Sequence, residues 1–523
     1  MKRRNFFKGL ILLCLILIIG FFGIFLKNKS QKSFCRNCNV ILISLDTLSA
    51  NHLPCYGYDK NTMPNLCEFG KENILFKNSY STSYWTLPSH MSIFTGLYPT
   101  THKVLKALID SLNPKYKTIT EVLKENGYNT LYFGPRKDIF IPLDKGIGSG
   151  FDYIENETTE LQGWGKGLGM LEENQKNNNK TFLFLHTYKV HYPYYPAKKD
   201  PYQVIDMSKS NPKILMTREE YDKGDQSFVN YAIDDVTKRL ETAKTPESRG
   251  IGETLLTFLK SNKTLDEKVK LLNKSNSGTF HEQWQIEQIK NQSDLDFYRS
   301  LYDETAFDLD KFLGDFLSEI KNKKLDKNTI VIITSDHGEG FEEHGEFDHC
   351  GTYPYCLYNE ITKVPLIISI PGIKNKEIKN VVQGIDIYPT ILSYLGIEKP
   401  IYVEGMDLKS MINNIFFKNK HKYIISEQDF KGKIVVDEKS KLYINDMDNL
   451  SMPKSIMLFD LVNDKKEIND ISRKEPKKVL EMINFVKDFS RRAGGEKVNN
   501  SNLKLPNWLD ETRKKRLLEN GYF

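Results

Sequence analysis

Asn39-Val-Ile-Leu-Ile-Ser-Leu45 is an apolar run of strand length that stops at Asp46-Thr47. Such a run marks a strand buried on both faces. Three others share the pattern: Thr130-Leu-Tyr-Phe-Gly134, Thr181-Phe-Leu-Phe-Leu-His186 and Thr329-Ile-Val-Ile-Ile-Thr-Ser335, the last leading into Asp336-His337-Gly338-Glu339. Val364 to Pro371 reads as a fifth strand. Between them, residues 61–76 read as a helix and short strand, and Tyr116–Gly127 and Asp386–Gly396 as helices. Leu295–Ile320 reads as one long helix, with Tyr298, Tyr302, Phe307, Leu309, Phe312 and Phe316 near helical spacing. Strands alternating with helices predict an α/β, doubly wound, mainly parallel sheet. Ligands bind such sheets beyond the carboxyl ends of the strands. Asp46, His186 and Asp336 all stand at such ends.

The stretch Ser83-Tyr-Trp-Thr86-Leu-Pro88-Ser-His90 runs on to Gly96. Pro88 suits a first helical turn and Gly96 its end. A hydroxyl at Thr86 then meets unpaired backbone N–H groups and the positive end of the helix dipole. It is either an ordinary N-cap or a group presented to an anion. The chain has ten histidines, and five fall in two clusters: His186 and His191, then His337, His344 and His349. Beside strand-end aspartates these point to one or two divalent metal ions. Carboxylate oxygen with neutral imidazole suits zinc or manganese better than calcium or magnesium. A metal would lower the pKa of the Thr86 hydroxyl, polarise an ester oxygen and hold an anionic substrate. Threonine needs such activation to act as a nucleophile. His90, one turn on, is placed to hydrogen-bond substrate or leaving group, or to cap the helix.

A net charge of +6 over 523 residues, without a long basic run carrying interleaved aromatics, argues against nucleic acid as a partner. Phe6 to Leu26 is almost wholly apolar, broken by Lys8 and preceded by Lys2, Arg3 and Arg4. That predicts a single transmembrane helix, residues 1–5 cytoplasmic and the remainder extracellular or periplasmic. No A-x-A-like cleavage site follows it. Six cysteines remain beyond this span; 35–38, 55–67 and 350–356 are the simplest disulfide pairing, with Cys35-x-x-Cys38 alternatively redox-active or metal-binding. After a linker at 27–38, residues 39–400 form the catalytic domain. It is interrupted at 205–292 by a Lys/Asn/Glu/Ser-rich helical insertion, a lid or a solvated excursion. Residues 401–523 form a smaller α+β subdomain, with strand signals at Tyr423–Ser426, Lys433–Val436 and Leu458–Leu461 and a helix at Pro476–Arg491.

Several motifs occur in order: Asn39 through Thr47, Cys55-Tyr-Gly-Tyr58, Pro64-Asn65, and Trp85 through His90 continuing to Thr95-Gly-Leu-Tyr-Pro99. Together they resemble the sulfatase family of the alkaline phosphatase superfamily. The likeness continues at His186–Pro193, Thr334–Glu339 with Glu343-His-Gly345, Leu357–Glu360, Val364–Ile367 and Asp386–Thr390. It ends at Leu458–Leu461 with Asp464 and Glu467, and at Gly521-Tyr522. It implies an alkaline phosphatase-like fold and a metal-dependent hydrolase or transferase acting on an anionic ester of a lipid, glycan or small molecule. Formylglycine-using sulfatases carry Cys or Ser followed by x-Pro-x-Arg where this chain has Thr86 and His90. The paired aspartates of the family are Asp46-Thr47 here, its Asp-Asn pair is Asp336-His337, and a sulfate-contacting lysine gives way around His349. These departures resemble the threonine-nucleophile branch: phosphoethanolamine transferases, lipoteichoic acid synthases and nucleotide pyrophosphatase/phosphodiesterases. By that resemblance Asp46, Thr86, Asp336 and His337 hold the metal, and Thr86, His90, His191 and His349 are catalytic. His186, His191, His349 and Lys189 contact substrate, while His186 and His344 are also candidates for supporting roles or a second metal. The implied chemistry is phosphodiester or phosphoryl transfer through Thr86. The alternatives are sulfuric ester hydrolysis and a non-catalytic binding protein on the same fold.

Overall fold

The structure is a computed structural model. It describes residues 35–492 except 107–109, 135–140, 156–159, 193, 195–229, most of 231–258, 264–291, 342–354 apart from 344 and 349, 414–421, 429–431 and 446–455. The apolar span Phe6–Leu26, almost all of the 205–292 insertion, Cys350 and Gly521-Tyr522 lie outside the described residues. Among those described, no helix is long and apolar enough to cross a membrane.

Asn39–Leu45 (β1) is buried along its whole length and forms the middle of an eight-stranded sheet. The other strands are Ile74–Tyr80 (β2), Tyr128–Phe133 (β3), Tyr153–Ile154 (β4), Lys180–Thr187 (β5), Thr329–Thr334 (β6), Leu366–Ser369 (β7) and Lys376–Gln383 (β8). Their order is β4-β3-β5-β1-β6-β7-β2-β8. β5 and β6 flank β1 in parallel, with Ser44 opposite both His186 and Thr334. Equal register makes the three strands end level, so the segments after Leu45, His186 and Thr334 meet at one edge. β7 runs antiparallel to β6 and to β2, so the sheet is mixed rather than uniformly parallel.

Alternation along β1 sorts the core into two layers. Ile41, Ile43 and Leu45 face Trp164 and the long helix Gln292–Asn322, through Tyr302, Leu309 and Phe316. Val40 and Leu42 face the other layer, where Leu87 and Phe94 of helix Thr86–Thr95 and Tyr388 and Ile391 of helix Ile387–Leu395 pack. Ser44 and Asp46 continue that second face, which directs them at the helix that carries Thr86.

Some elements differ from the sequence reading. The helix expected from Tyr116 begins at Ile119, because Thr118 and Glu121 form a reciprocal capping box at its start. The expected 364–371 strand is only four residues long, and antiparallel. Lys376–Gln383 and the helix Glu160–Lys176 were not anticipated. Beyond residue 401 the described strands are Ile424–Gln428 (β9), Gly432–Val436 (β10), Ser440–Asn445 (β11) and Ile456–Asp460 (β12). They form an antiparallel sheet ordered β12-β11-β10-β9. Helix Pro476–Arg492 covers one face through Val479, Met482, Ile483 and Val486. The other face packs Ile434, Val436, Tyr443 and Phe459 onto Tyr80, Tyr358 and Ile361 of the larger layer. Cys35–Cys38 and Cys55–Cys67 are disulfide-bonded.

Candidate active site

The end of β1 turns sharply. Thr47 has a left-handed backbone (φ 57°), and its hydroxyl donates within reach of the carbonyls of Asp46 (2.7 Å) and Val190 (2.8 Å). Its N–H points at Asp336 Oδ1, 3.4 Å away. The β1, β5 and β6 ends are thereby tied together, and Asp46 and Asp336 are brought face to face, both fully buried.

Thr86 is the first residue of its helix rather than the N-cap. Trp85 occupies the cap with extended backbone and no side-chain capping bond, while Gly96 closes the far end with φ 67°. The Thr86 hydroxyl is therefore available to the site, with Oγ1 3.4 Å from Asp46 Oδ2 and 3.3 Å from His337 Nε2. His337 Nδ1 lies 2.9 Å from the Gly338 carbonyl, to which it donates, and this leaves the Nε2 lone pair directed at Thr86 and Asp336. Asp336 Oδ1 accepts from the His337 N–H at 3.0 Å. Its Oδ2 accepts no hydrogen bond among the described residues and lies 3.4 Å from His337 Nε2.

Asp46, Asp336 and His337 thus bring three buried donor atoms together, and Thr86 adds a hydroxyl. Two buried carboxylates with an orphaned oxygen need a cation, and these residues fit a divalent one. Burial pushes the His337 imidazole down to about 3 although Asp336 pulls the other way, so the ring is neutral at physiological pH and its Nε2 lone pair is free to bind a cation. Burial would raise the Asp336 carboxyl, but the neighbouring imidazoles of His337, His90 and His186 outweigh it and hold it well below the usual range.

The other candidate histidines fall into three places. His349 lies against His337 (ring centroids 4.4 Å) and His191 (5.2 Å), and its Nδ1 is 3.0 Å from Glu339 Oε1. His191 donates from Nδ1 to the Tyr192 carbonyl. His90 and His186 sit deeper, with no exposed surface, packed on each other at 4.8 Å. His344 stacks on Tyr358 and approaches Glu360 (3.8 Å), in a separate group with Glu467. The ammonium of Lys441 lies 2.9 Å from Glu467 in that group and supplies a cation from the chain itself. Lys189 is half-buried in the turn after β5, its N–H bonded to Thr187 Oγ1. Two residues that take part were not singled out from sequence. Glu339 orients His349, and Ser44 lies 2.9 Å from His90 Nε2. The alternation that points Val40 and Leu42 to one face was the available signal for Ser44.

The pattern of the Sulfatase family matches residues 38–397, and that of the N-sulphoglucosamine sulphohydrolase C-terminal family matches residues 342–488. Arylsulfatase K of Canis lupus familiaris is 25% identical over 480 residues, covering 86% of this chain and 83% of that protein. The uncharacterized sulfatase YidJ of Escherichia coli (strain K12) is 24% identical over 468 residues, covering 83% and 82%. Among solved structures, BT4656 in complex with its substrate D-glucosamine-2-N,6-O-disulfate superposes with a TM-score of 0.61 at 19% identity, over 90% of this chain and 100% of that one. The phosphonate monoester hydrolase of Agrobacterium radiobacter gives 0.57 at 17% identity, over 87% and 95%.

Proposed function

The chain belongs to the sulfatase family, and from its departures at Thr86 and His337 we propose that it hydrolyses or transfers an anionic phosphorus ester, with Thr86 as the nucleophile. The observation that carries this reading is the Thr86 hydroxyl itself, buried at the head of its helix between Asp46 and His337. A threonine side chain has a methyl group on Cβ, so its oxidation gives a ketone and never the aldehyde of a formylglycine. The hydroxyl is thus left to act as an alcohol.

Asp46, Asp336, His337 and Thr86 would hold a divalent ion, which when bound lowers the pKa of the hydroxyl and offsets charge on the ester oxygens. Asp46 Oδ2, 3.4 Å from Thr86 Oγ1, orients the hydroxyl and would take its proton, returning it when Thr86 is restored. Oγ1 attacks phosphorus, the bond to the leaving oxygen breaks, and Thr86 carries the phosphoryl group. His349 is oriented through Nδ1 by Glu339, which assigns proton transfer to Nε2. With His191 beside it, His349 would donate to the leaving oxygen. A second attack, by water or an acceptor hydroxyl, restores Thr86.

Sulfuric ester hydrolysis is the second reading, favoured by the arylsulfatase K relatives and by the disulfated ligand of BT4656. The named activity of the phosphonate monoester hydrolase supports phosphorus chemistry on this fold. We further propose that Phe6–Leu26 anchors the enzyme with its catalytic region outside the cytoplasm, a reading to which the paired Cys35–Cys38 and Cys55–Cys67 lend support.

The test compares an aryl phosphodiester with the matching aryl sulfate, using zinc- or manganese-loaded enzyme and Thr86→Ala. Faster diester cleavage, lost in the variant, and a mass increment of one phosphoryl group on the peptide bearing Thr86 are expected. Preferred sulfate cleavage that survives Thr86→Ala would overturn the proposal.

A further inference from the structure

We propose that His186, backed by His90, is an imidazole brace that fixes the orientation of Asp46 and so sets how tightly the centre holds its cation. The proposal rests on the metal-holding reading of that centre. His186 Nε2 stands 3.4 Å from Asp46 Oδ2, while His90 Nδ1, though 3.4 Å from Asp336 Oδ2, spends its N–H on the Thr86 carbonyl. Neither ring has solvent-exposed surface.

The rings are held from below. Phe184 lies parallel to His186 at 6.2 Å and edge-on to His90 at 6.0 Å, and the two imidazoles meet edge to face. His90 Nδ1 lies 2.9 Å from the Thr86 carbonyl, one helical turn back, and Nε2 2.9 Å from Ser44 Oγ. Donation from Nδ1 leaves Nε2 to accept the serine hydroxyl. His186 lies directly across the β1–β5 ladder from that same Ser44. One serine on β1 therefore stands between the two rings in register, and His90, fixed by Thr86 and Ser44, backs the His186 ring that faces Asp46.

The chemistry suits an outer shell. A carboxylate that binds a cation through one oxygen is free to swing about its terminal bond unless something holds it, and partners of this kind typically tune affinity 10- to 100-fold. Asp46 offers its other oxygen towards His337 Nε2, 3.8 Å away, while Oδ2 faces His186 and Thr86. A lysine or arginine in either place would bring a permanent positive charge beside a bound cation. An imidazole brings an N–H without one.

The full-length chain, stripped of metal and titrated with zinc against a chromophoric chelator, tests the brace. His186→Leu is expected to weaken zinc binding 10- to 100-fold, with the melting temperature of the metal-free protein close to the parent's. His186→Gln, whose amide N–H extends to about the position of Nε2, is expected to recover most of the loss. If the leucine variant does not fold, His186→Asn replaces it, since its shorter amide falls short of Asp46 and weakened binding is again expected. Zinc affinity unchanged in His186→Leu or His186→Asn, or no recovery with glutamine, overturns the proposal. Asp336→Asn separates the two levels: if it binds zinc as the parent does, the metal centre itself is wrong and the brace falls with it.

Discussion

Replacing Lys441 by methionine is expected to cost about 3 kcal/mol of stability. The lysine ammonium is wholly buried, 2.9 Å from Glu467 Oε1, 3.1 Å from Asn359 Oδ1 and 3.3 Å from Thr362 Oγ1. Methionine fills a similar volume, so little cavity results; the loss is that of a cation from beside a buried anion. Removing one partner of a buried pair typically costs about 3–5 kcal/mol. The lower end applies here because Glu467 keeps two donors, the Asn359 N–H at 2.8 Å and the Tyr443 hydroxyl at 3.0 Å. Converting Glu467 to glutamine as well removes the stranded charge; the amide oxygen accepts the Asn359 N–H and the amide N–H donates to the Tyr443 hydroxyl, whose own proton turns to the Leu357 carbonyl, so the double variant should return to within about 1 kcal/mol of the parent. Urea unfolding of the parent, both single variants and the double variant gives the cycle. The pair also matters to the site: Asn359 and Thr362 bound a short helix whose Ile361 carbonyl accepts the Gly338 N–H at 2.6 Å, next to His337. Zinc affinity should therefore fall in the single lysine variant and recover in the double. A cost below about 1 kcal/mol, or a double variant no better than the sum of the singles, would refute the reasoning.

Gly338→Ala should be more damaging than a surface glycine change, by about 3 kcal/mol, because an added Cβ would stand 2.0 Å from the Glu360 carbonyl oxygen. A thermal melt reads the loss, and a normal melting temperature would contradict the packing described. His102 gives a pH signature. Burial holds its imidazole down to about 3, with Nδ1 accepting the Val104 N–H and Nε2 facing Ser92 Oγ. The unfolded chain takes up a proton below about pH 6.5 that the folded chain refuses, so this residue costs nothing above that pH. Its contribution falls by about 1.4 kcal/mol per unit as pH drops towards 3. Relative to His102→Gln, the parent should lose about 2 kcal/mol between pH 7.5 and 5, and a pH-independent difference would contradict it. Thr86→Ser should keep most diester turnover while Thr86→Ala lowers kcat on the order of 10³-fold or more; equal losses would remove the hydroxyl from the chemistry.

The central strands were legible because β1, β3, β5 and β6 are buried on both faces, and burial on both faces leaves an apolar run in the sequence. Lys376–Gln383 was not, because an edge strand with four exposed or half-exposed polar residues among its first five carries no such run. The helix Glu160–Lys176 hides behind Gly163, Gly165, Gly167 and Gly169, residues that weaken a helical reading although packing sustains it. Gly167 is there for closeness: a Cβ would lie 2.9 Å from the Phe133 ring. In the site, strand-end position sufficed to find Asp46 and Asp336, whose carboxylates emerge where ligands bind such sheets. Depth was not legible. His90 and His191 look alike in sequence, yet one lies under the carboxylates and the other beside His349, because sheet face rather than residue type separates them.

Every residue of the helix Thr86–Thr95 is buried, so the helix has no face turned to water. It differs in this from an ordinary amphipathic surface helix, where half the positions tolerate change. A saturation screen for retained activity should therefore return these ten positions as one intolerant block. Leu87, Met91 and Phe94 would score as severely as Thr86 while touching no reacting atom. Mutational sensitivity alone would overstate the size of the catalytic machinery here. Only an assay that reports folding separately from turnover can divide the residue that reacts from the nine that hold it in place.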